Sequence, residues 1–335
     1  MKNSFFATLI LLLAFQLASP SVFAQQDPLF TYYTSNSTLV NPAIAGSNKT
    51  LHMMVVHRSQ WMGFNGAPTS SVFAFSTPLY QKGLGVGASF IDDRIGYVQQ
   101  MSYFMDLSYR MVLKKKLTKS INYMKSGRKT LLRTQKKRED VYLSFGLKAG
   151  VDNFRILKSR VKTSHTGDNS IAGMVNDEKQ ANFGFGLYLY SPSYFITFSI
   201  PRLVTRKVYE KELMLEKTDY RRMHFYLGGG IVRQLSPYFK VRPTIMTRYV
   251  YGNPLSVDMS LNFLYQEKVW MGLGYRLKDA MFFNLEYYIT DTFRISYSYD
   301  LTTTSLNKFS YGTHEVSLNI DLRLKRTPGF CKRYY

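Results

Sequence analysis

Apolar and polar residues alternate with a period of two along nearly the whole chain. Phe183, Phe185, Leu187 and Leu189 alternate with Gly184, Gly186, Tyr188 and Tyr190. Val316, Leu318, Ile320 and Leu322 alternate with Glu315, Ser317, Asn319 and Asp321. Successive side chains of a strand point to opposite faces, so each such segment has one oily and one polar face. The alternation predicts fourteen strands, over residues 51–58, 70–77, 83–92, 101–113, 141–151, 182–190, 194–200, 222–233, 238–250, 255–265, 268–277, 280–288, 293–300 and 313–323. Half of them have 9–11 residues, the length a tilted strand needs to cross a bilayer, and the others 7–13. No helical stretch of comparable size interrupts them. The prediction is an all-β, transmembrane, antiparallel up-and-down barrel of about 14 strands, of the outer-membrane type.

An even strand count puts both ends of the barrel on one side, the periplasm in bacterial barrels of this kind. Connections on that side are mostly short, as at 192–193, 236–237, 266–267 and 290–292, whereas those at 59–69, 152–181, 201–221 and 301–312 on the other side are long. The connection at 114–140 is long on the short side, and 252–253 and 278–279 are short on the long side. The polar faces carry Lys240, Arg242, Thr244 and Arg248, then Ser256, Asp258, Ser260 and Asn262. Charge is costly on a lipid face, so these residues line the bore. Eight strands are filled by side chains and sixteen leave a channel. Fourteen lies between, and the pattern leaves open whether the bore is partly open or plugged.

The start of the chain adds export. Lys2, an apolar stretch from about Phe5 to Leu17, and Val22-Phe23-Ala24 predict a signal peptide over 1–24, cleaved before Gln25. The layout expected beyond it is an N-terminal periplasmic segment at 25–50, the barrel at 51–324 with a basic periplasmic loop at 114–140, and a C-terminal tail at 325–335. No later stretch approaches the ~18 apolar residues of a membrane-spanning helix. Lys and Arg number 44 against 22 Asp and Glu, a formal net charge of +22. Export makes nucleic acid an unsuitable partner for that surplus and leaves anionic lipid or an acidic protein. The single Cys331 allows no internal disulfide.

The chemical motifs resolve into structure. Gly83-Leu84-Gly85-Val86-Gly87 lies within a strand, not between a strand and a helix, so it marks small residues facing a crowded bore rather than a phosphate loop. His52, His57, His165, His224 and His314 show no metal-binding helical spacing, and no G-x-S-x-G elbow is present. Asp92-Asp93-Arg94 suits a turn better than a calcium site of six to eight oxygens. These motifs single out no catalytic, cofactor or metal site, and a membrane-embedded hydrolase that assembles Ser and His across strands stays open as a third class. The strongest local anomaly is the stretch 114–138. Its eleven basic residues, Lys114, Lys115, Lys116, Lys119, Lys125, Arg128, Lys129, Arg133, Lys136, Lys137 and Arg138, come with no acid. They form either a solvated loop or an electrostatic contact with lipid headgroups or an acidic partner.

Several longer segments carry a family resemblance. They are QQDPLFTYYTSNSTLVNPAIAGS at the mature start, with Asn41-Pro42-Ala43 and Ala45-Gly46; Arg58-Ser59-Gln60-Trp61-Met62-Gly63-Phe64 with Gly66-Ala67-Pro68; GLGVGASFIDDRIG; SFGLKAGV; NFGFGLYLYSPSYFITFSIPRL; and GNPLSVDMSLNFLY. In order and over nearly the whole mature chain, these resemble the PorP/SprF family of outer-membrane proteins associated with the type IX secretion system of Bacteroidetes-type bacteria. The resemblance implies a non-enzymatic outer-membrane barrel. It would work with type IX secretion components and outer-membrane lipid in the secretion or cell-surface attachment of a client, such as a large adhesin used in gliding motility. The alternative is a passive channel for small solutes. Arg58, Gln60 and Trp61, on the first outer loop, have the composition of a binding hot spot. Equally, Trp61 suits an interfacial anchor, and Gly66-Ala67-Pro68 suits a turn.

Overall fold

The computed structural model describes residues 30–31, 37–48, 50–79, 83–114, 117–126, 129–138, 140–157, 177–203, 223–251 and 253–322. The strands are β1 (Leu51–Ser59), β2 (Thr69–Pro78), β3 (Leu84–Ile95), β4 (Val98–Lys114), β5 (Leu117–Ser126), β6 (Lys129–Arg138), β7 (Val141–Ile156), β8 (Asp177–Ser191), β9 (Tyr194–Ile200), β10 (His224–Ile231), β11 (Arg233–Gln234), β12 (Phe239–Val250), β13 (Ser256–Tyr265), β14 (Val269–Arg276), β15 (Ala280–Tyr288), β16 (Phe293–Thr302) and β17 (Thr313–Leu322). All except β5 and β6 join one antiparallel sheet, in which β11 continues β10 past Val232, giving a fourteen-stranded barrel. The first strand closes on the last, from Leu51 opposite Leu322 to Ser59 opposite His314. Closure leaves no edge strand, which is the condition for a sheet to sit in lipid.

The period of two sorts the residues as the sequence predicts. On β13, Asp258, Ser260, Asn262 and Leu264 are buried inside, and Met259, Leu261 and Phe263 are exposed outside. Leu107, Leu147, Leu227, Leu273 and Met281 continue the oily exterior around the wall. The short connections at 192–193, 266–268 and 289–292 define a turn end of the barrel, and the opposite end is the loop end. Exposed Tyr238, Tyr265, Tyr287 and Phe293 ring the turn end, and Tyr97, Tyr249, Tyr251 and Tyr275 ring the loop end. Such aromatic belts sit where the apolar band meets the headgroups.

Two segments depart from the expected layout. The basic 114–140 connection is not an irregular loop over its described residues but an antiparallel ribbon of β5 and β6, running from Leu117 opposite Arg138 to Ser126 opposite Lys129. Its register sets Tyr123 opposite Leu132 and Met124 opposite Leu131. These two strands pair only with each other among the described residues. The 25–50 segment is not a free periplasmic stretch where it is described. Helix α1 (Ser37–Val40) and a 3-10 turn at Pro42–Ile44 lie inside the bore, the turn against β4, β7 and β8.

Candidate functional site: a filled bore beneath an exposed loop cap

Asn41 organises the segment inside the bore. It caps the Pro42–Ile44 turn, its Oδ1 accepting the amide of Ala43 at 2.8 Å. Its Nδ2 donates to the carbonyls of Leu187 (2.8 Å) and Phe198 (3.2 Å) and to Thr197 Oγ1 (2.7 Å). Other carbonyls of the segment are met by the wall: Ser108 Oγ donates to Ala45 at 2.7 Å, Lys148 Nζ to Leu39 at 3.3 Å and Arg110 Nη1 to Ser47 at 3.4 Å. Irregular backbone inside a barrel requires such partners, because a buried polar group left unmet is expensive. Apolar contacts flank the turn. Phe30 and Leu39 pack with Met54, Val56, Val72 and Ile91, while Ala43 and Ile44 pack with Tyr188, Tyr190 and Phe195.

The wall is thinned where the segment lies. A Cβ on Gly186 would sit 1.9 Å from Asn41 Oδ1, one on Gly146 would sit 2.1 Å from the Ala43 nitrogen, and one on Gly85 would sit 2.3 Å from the Ala45 oxygen. Glycine inside a strand marks such close backbone approach. Of the 83–87 run, Gly85 and Gly87 therefore face a crowded bore, whereas Gly83 lies in the turn before β3 at positive φ.

A buried ion cluster lies toward the loop end. Arg58 Nη2 is 3.0 Å from Asp300 Oδ2, and its Nη1 is 3.0 Å from Glu315 Oε2. Thr31 joins them, its amide donating to Glu315 at 2.8 Å and its hydroxyl to Asp300 at 2.7 Å. Arg276 bridges Asp258 at 3.1 Å, Asp279 at 3.3 Å and Asp300 at 3.5 Å. On the side away from the segment, long side chains fill the bore themselves. Arg242 stacks 4.3 Å from the Trp270 ring centroid, Arg294 5.5 Å from Tyr288 and Arg276 5.9 Å from Phe282.

Above the cluster, two loops are tied together. The Met62 amide donates to Gly312 O at 2.9 Å, the Tyr311 amide to Met62 O at 2.7 Å and the Trp61 amide to Thr313 Oγ1 at 3.2 Å. Positive φ at Gly63 (107°), Gly66 (79°) and Gly312 (87°) lets the chain fold back on itself there. The paired loops expose Met62, Phe64, Leu306, Phe309 and Tyr311, the last 78% accessible. The Phe64 and Phe309 rings lie 6.4 Å apart.

The sequence-predicted site residues are scattered by this geometry. Arg58 is not on the loop: it lies in β1 on the inward face shared by His52, Met54 and Val56, and is 3% exposed. Gln60 and Trp61 are on the cap, both partly buried. Lys114 ends β4 exposed, and Lys129, Lys136, Lys137 and Arg138 lie on β6, whereas Lys115, Lys116 and Arg128 fall outside the described residues. Sequence reasoning missed Thr31, Asn41, Asp300, Glu315, Phe309 and Tyr311 as parts of a site. For Asn41 the signal existed, in the Asn-Pro-Ala run that carries the family resemblance.

Residues 22–320 match the family described as type IX secretion system membrane protein PorP/SprF. The chain belongs to that family. No curated protein matches it. Among solved structures, this PorP/SprF barrel is similar to outer membrane protein Omp33 of Acinetobacter baumannii, with 8% identity, 83% of this chain and 100% of that one covered, and a TM-score of 0.42. It is similar also to the toluene transporter TbuX of Ralstonia pickettii, with 11% identity, 85% and 92% covered and a TM-score of 0.44. Outer membrane phospholipase A from Escherichia coli shares 12% identity, with 89% and 94% covered and a TM-score of 0.35. PorP/SprF membership and the closed barrel together place the protein in the outer membrane as a type IX secretion membrane protein.

Proposed function

We propose that this PorP/SprF barrel holds a client protein during type IX secretion or attachment to the cell surface, and that it performs no bond-making chemistry. The loop end then faces outward and the turn end faces the periplasm. One observation supports this above others: a hydrogen-bonded loop cap that presents Met62, Phe64, Phe309 and Tyr311 to solvent above a filled bore. Clustered exposed aromatics on a rigid frame are what a protein interface uses as anchors. The second reading is a passive solute channel. The polar bore favours it; the packing inside opposes it.

Deleting the gene is expected to leave one exported protein missing from the cell surface. The finer test changes Phe309 and Tyr311 to Ser in the full chain. Recovery of the co-purified client from native outer membrane should fall by about tenfold or more, the loss of roughly 1.4 kcal/mol expected for anchor residues. The folded mobility of the barrel in unheated gel electrophoresis should not change. Equal client recovery would place the docking surface elsewhere.

At the turn end, the β5–β6 ribbon supports a second, periplasmic contact. Lys119 stands opposite Lys136 in its register, and like charges directly across strands repel. An isolated two-stranded ribbon is marginal even without that repulsion. An anionic surface, from headgroups or an acidic secretion component, would relieve both. Replacing the eleven basic residues of 114–138 by Gln or Ser should weaken pull-down of a periplasmic component or membrane association, most visibly at low salt. Unchanged recovery at low salt would leave only a solvated ribbon.

A further inference from the structure

We infer that the described residues 30–31 and 37–47 form a peptide plug bound by its own barrel, and that the inner faces of β3, β4, β7, β8 and β9 are a recognition groove built for it. The inference does not depend on any client.

The wall closes without the segment. Each barrel strand completes its ladder with two neighbouring strands, and residues 37–48 supply no strand to that ladder. The segment is held instead by side chains of the wall, as a ligand would be. The groove is specific in three ways. It reads the Asn41 amide through Leu187 O, Thr197 Oγ1 and Phe198 O. It collects carbonyls with Ser108, Lys148 and Arg110. Gly146 and Gly186 remove the Cβ atoms that would collide with the Asn-Pro-Ala turn, and Gly85 the one that would collide with Ala45 just after it. A wall whose only task was to stand in lipid would have no need of these three gaps.

The plug is anchored at both ends of the bore. Thr31 is fixed on Asp300 and Glu315 toward the loop end, and Ser47 on Arg110 toward the turn end. Its described residues pack on one side of the bore, Phe30 and Leu39 on β1 to β3 and Ala43 and Ile44 on β8 and β9, away from the arginine–aromatic stacks of β12 to β15. Removing the plug should therefore open a path along one side of the barrel.

The test is conductance of the purified full chain in a planar bilayer. Wild type should be silent, and the full-length Gly186→Val chain, whose added side chain collides with Asn41, should show steady conductance. A barrel lacking residues 30–48 should conduct as well, and a synthetic peptide of residues 30–48 should close it. The same peptide carrying Asn41→Ala should need at least about tenfold more to do so, the loss of one buried hydrogen-bonding group. Steady conductance by wild type would overturn the inference. So would a Gly186→Val chain that keeps its folded gel mobility and stays silent, or a shortened barrel that fails to fold or is indifferent to the peptide.

Discussion

Arg58→Ala is expected to destabilise the barrel by about 3–5 kcal/mol, the cost of breaking a buried ion pair by removing one partner. The loss is large because the arginine serves two carboxylates. With it gone, Asp300 and Glu315, diagonal neighbours on the paired strands β16 and β17, lose the cation they share. Urea unfolding, followed by the shift from folded to unfolded mobility in unheated gels, measures this directly. Arg58→Lys should recover only part, since an ammonium cannot fork between two carboxylates as a guanidinium does. Arg58→Met combined with Asp300→Asn and Glu315→Gln should recover most of it, because a neutral, well-packed replacement of a whole buried cluster costs little. Client binding per folded molecule should stay unchanged across the series. That outcome separates the position of Arg58 in the bore from the loop position its neighbours in sequence suggest. A neutral Arg58→Ala would mean that the cluster is solvated.

The fate of Arg58 shows what alternation can and cannot carry. Strand existence was legible because a lipid-facing wall with a polar interior enforces the strictest form of the period-two rule. Segments such as 255–265 and 313–323 could be placed to within a few residues, and their inward Asp258, Asn262, Ser317 and Asn319 identified. Strand ends were less legible: Arg58 closes the predicted 51–58 strand and so could be read with the loop that follows, whereas the pleat turns its side chain into the bore. The plug was invisible for a different reason. Asn41 reads as a turn residue, but its partners Leu187 and Thr197 are 146 and 156 positions away, and only barrel closure brings them within reach. The cap residues Phe309 and Tyr311 lie in a long connection, beyond the reach of any periodic argument. Sequence thus gave the wall; the contents of the bore and the loop surface are consequences of how the wall closes.

The wall itself makes the second large prediction. Leu273 sits midway along β14, 69% exposed and flanked by Gly272 and Gly274, with Leu261 and Phe283 on the neighbouring strands also pointing outward. Leu273→Arg should destabilise the barrel in lipid vesicles by about 2–4 kcal/mol, because a guanidinium at that depth must draw water or headgroups into the apolar band. Leu235, 59% exposed in the connection before β12, lies at the turn end. There the same change should cost only about 0–1 kcal/mol, since the headgroup region accepts the charge. The pair is diagnostic because the two leucines are similarly exposed and differ in depth. In a water-soluble β-sandwich, two exposed leucines would tolerate arginine equally, within about 0.5 kcal/mol. Urea titration of folding into vesicles reads the difference. A gap of about two kcal/mol or more between the two positions is the signature of a wall whose solvent is hydrocarbon at its middle and water at its rims. Equal, small effects would mean that the exposed leucines of this barrel do not face lipid at all.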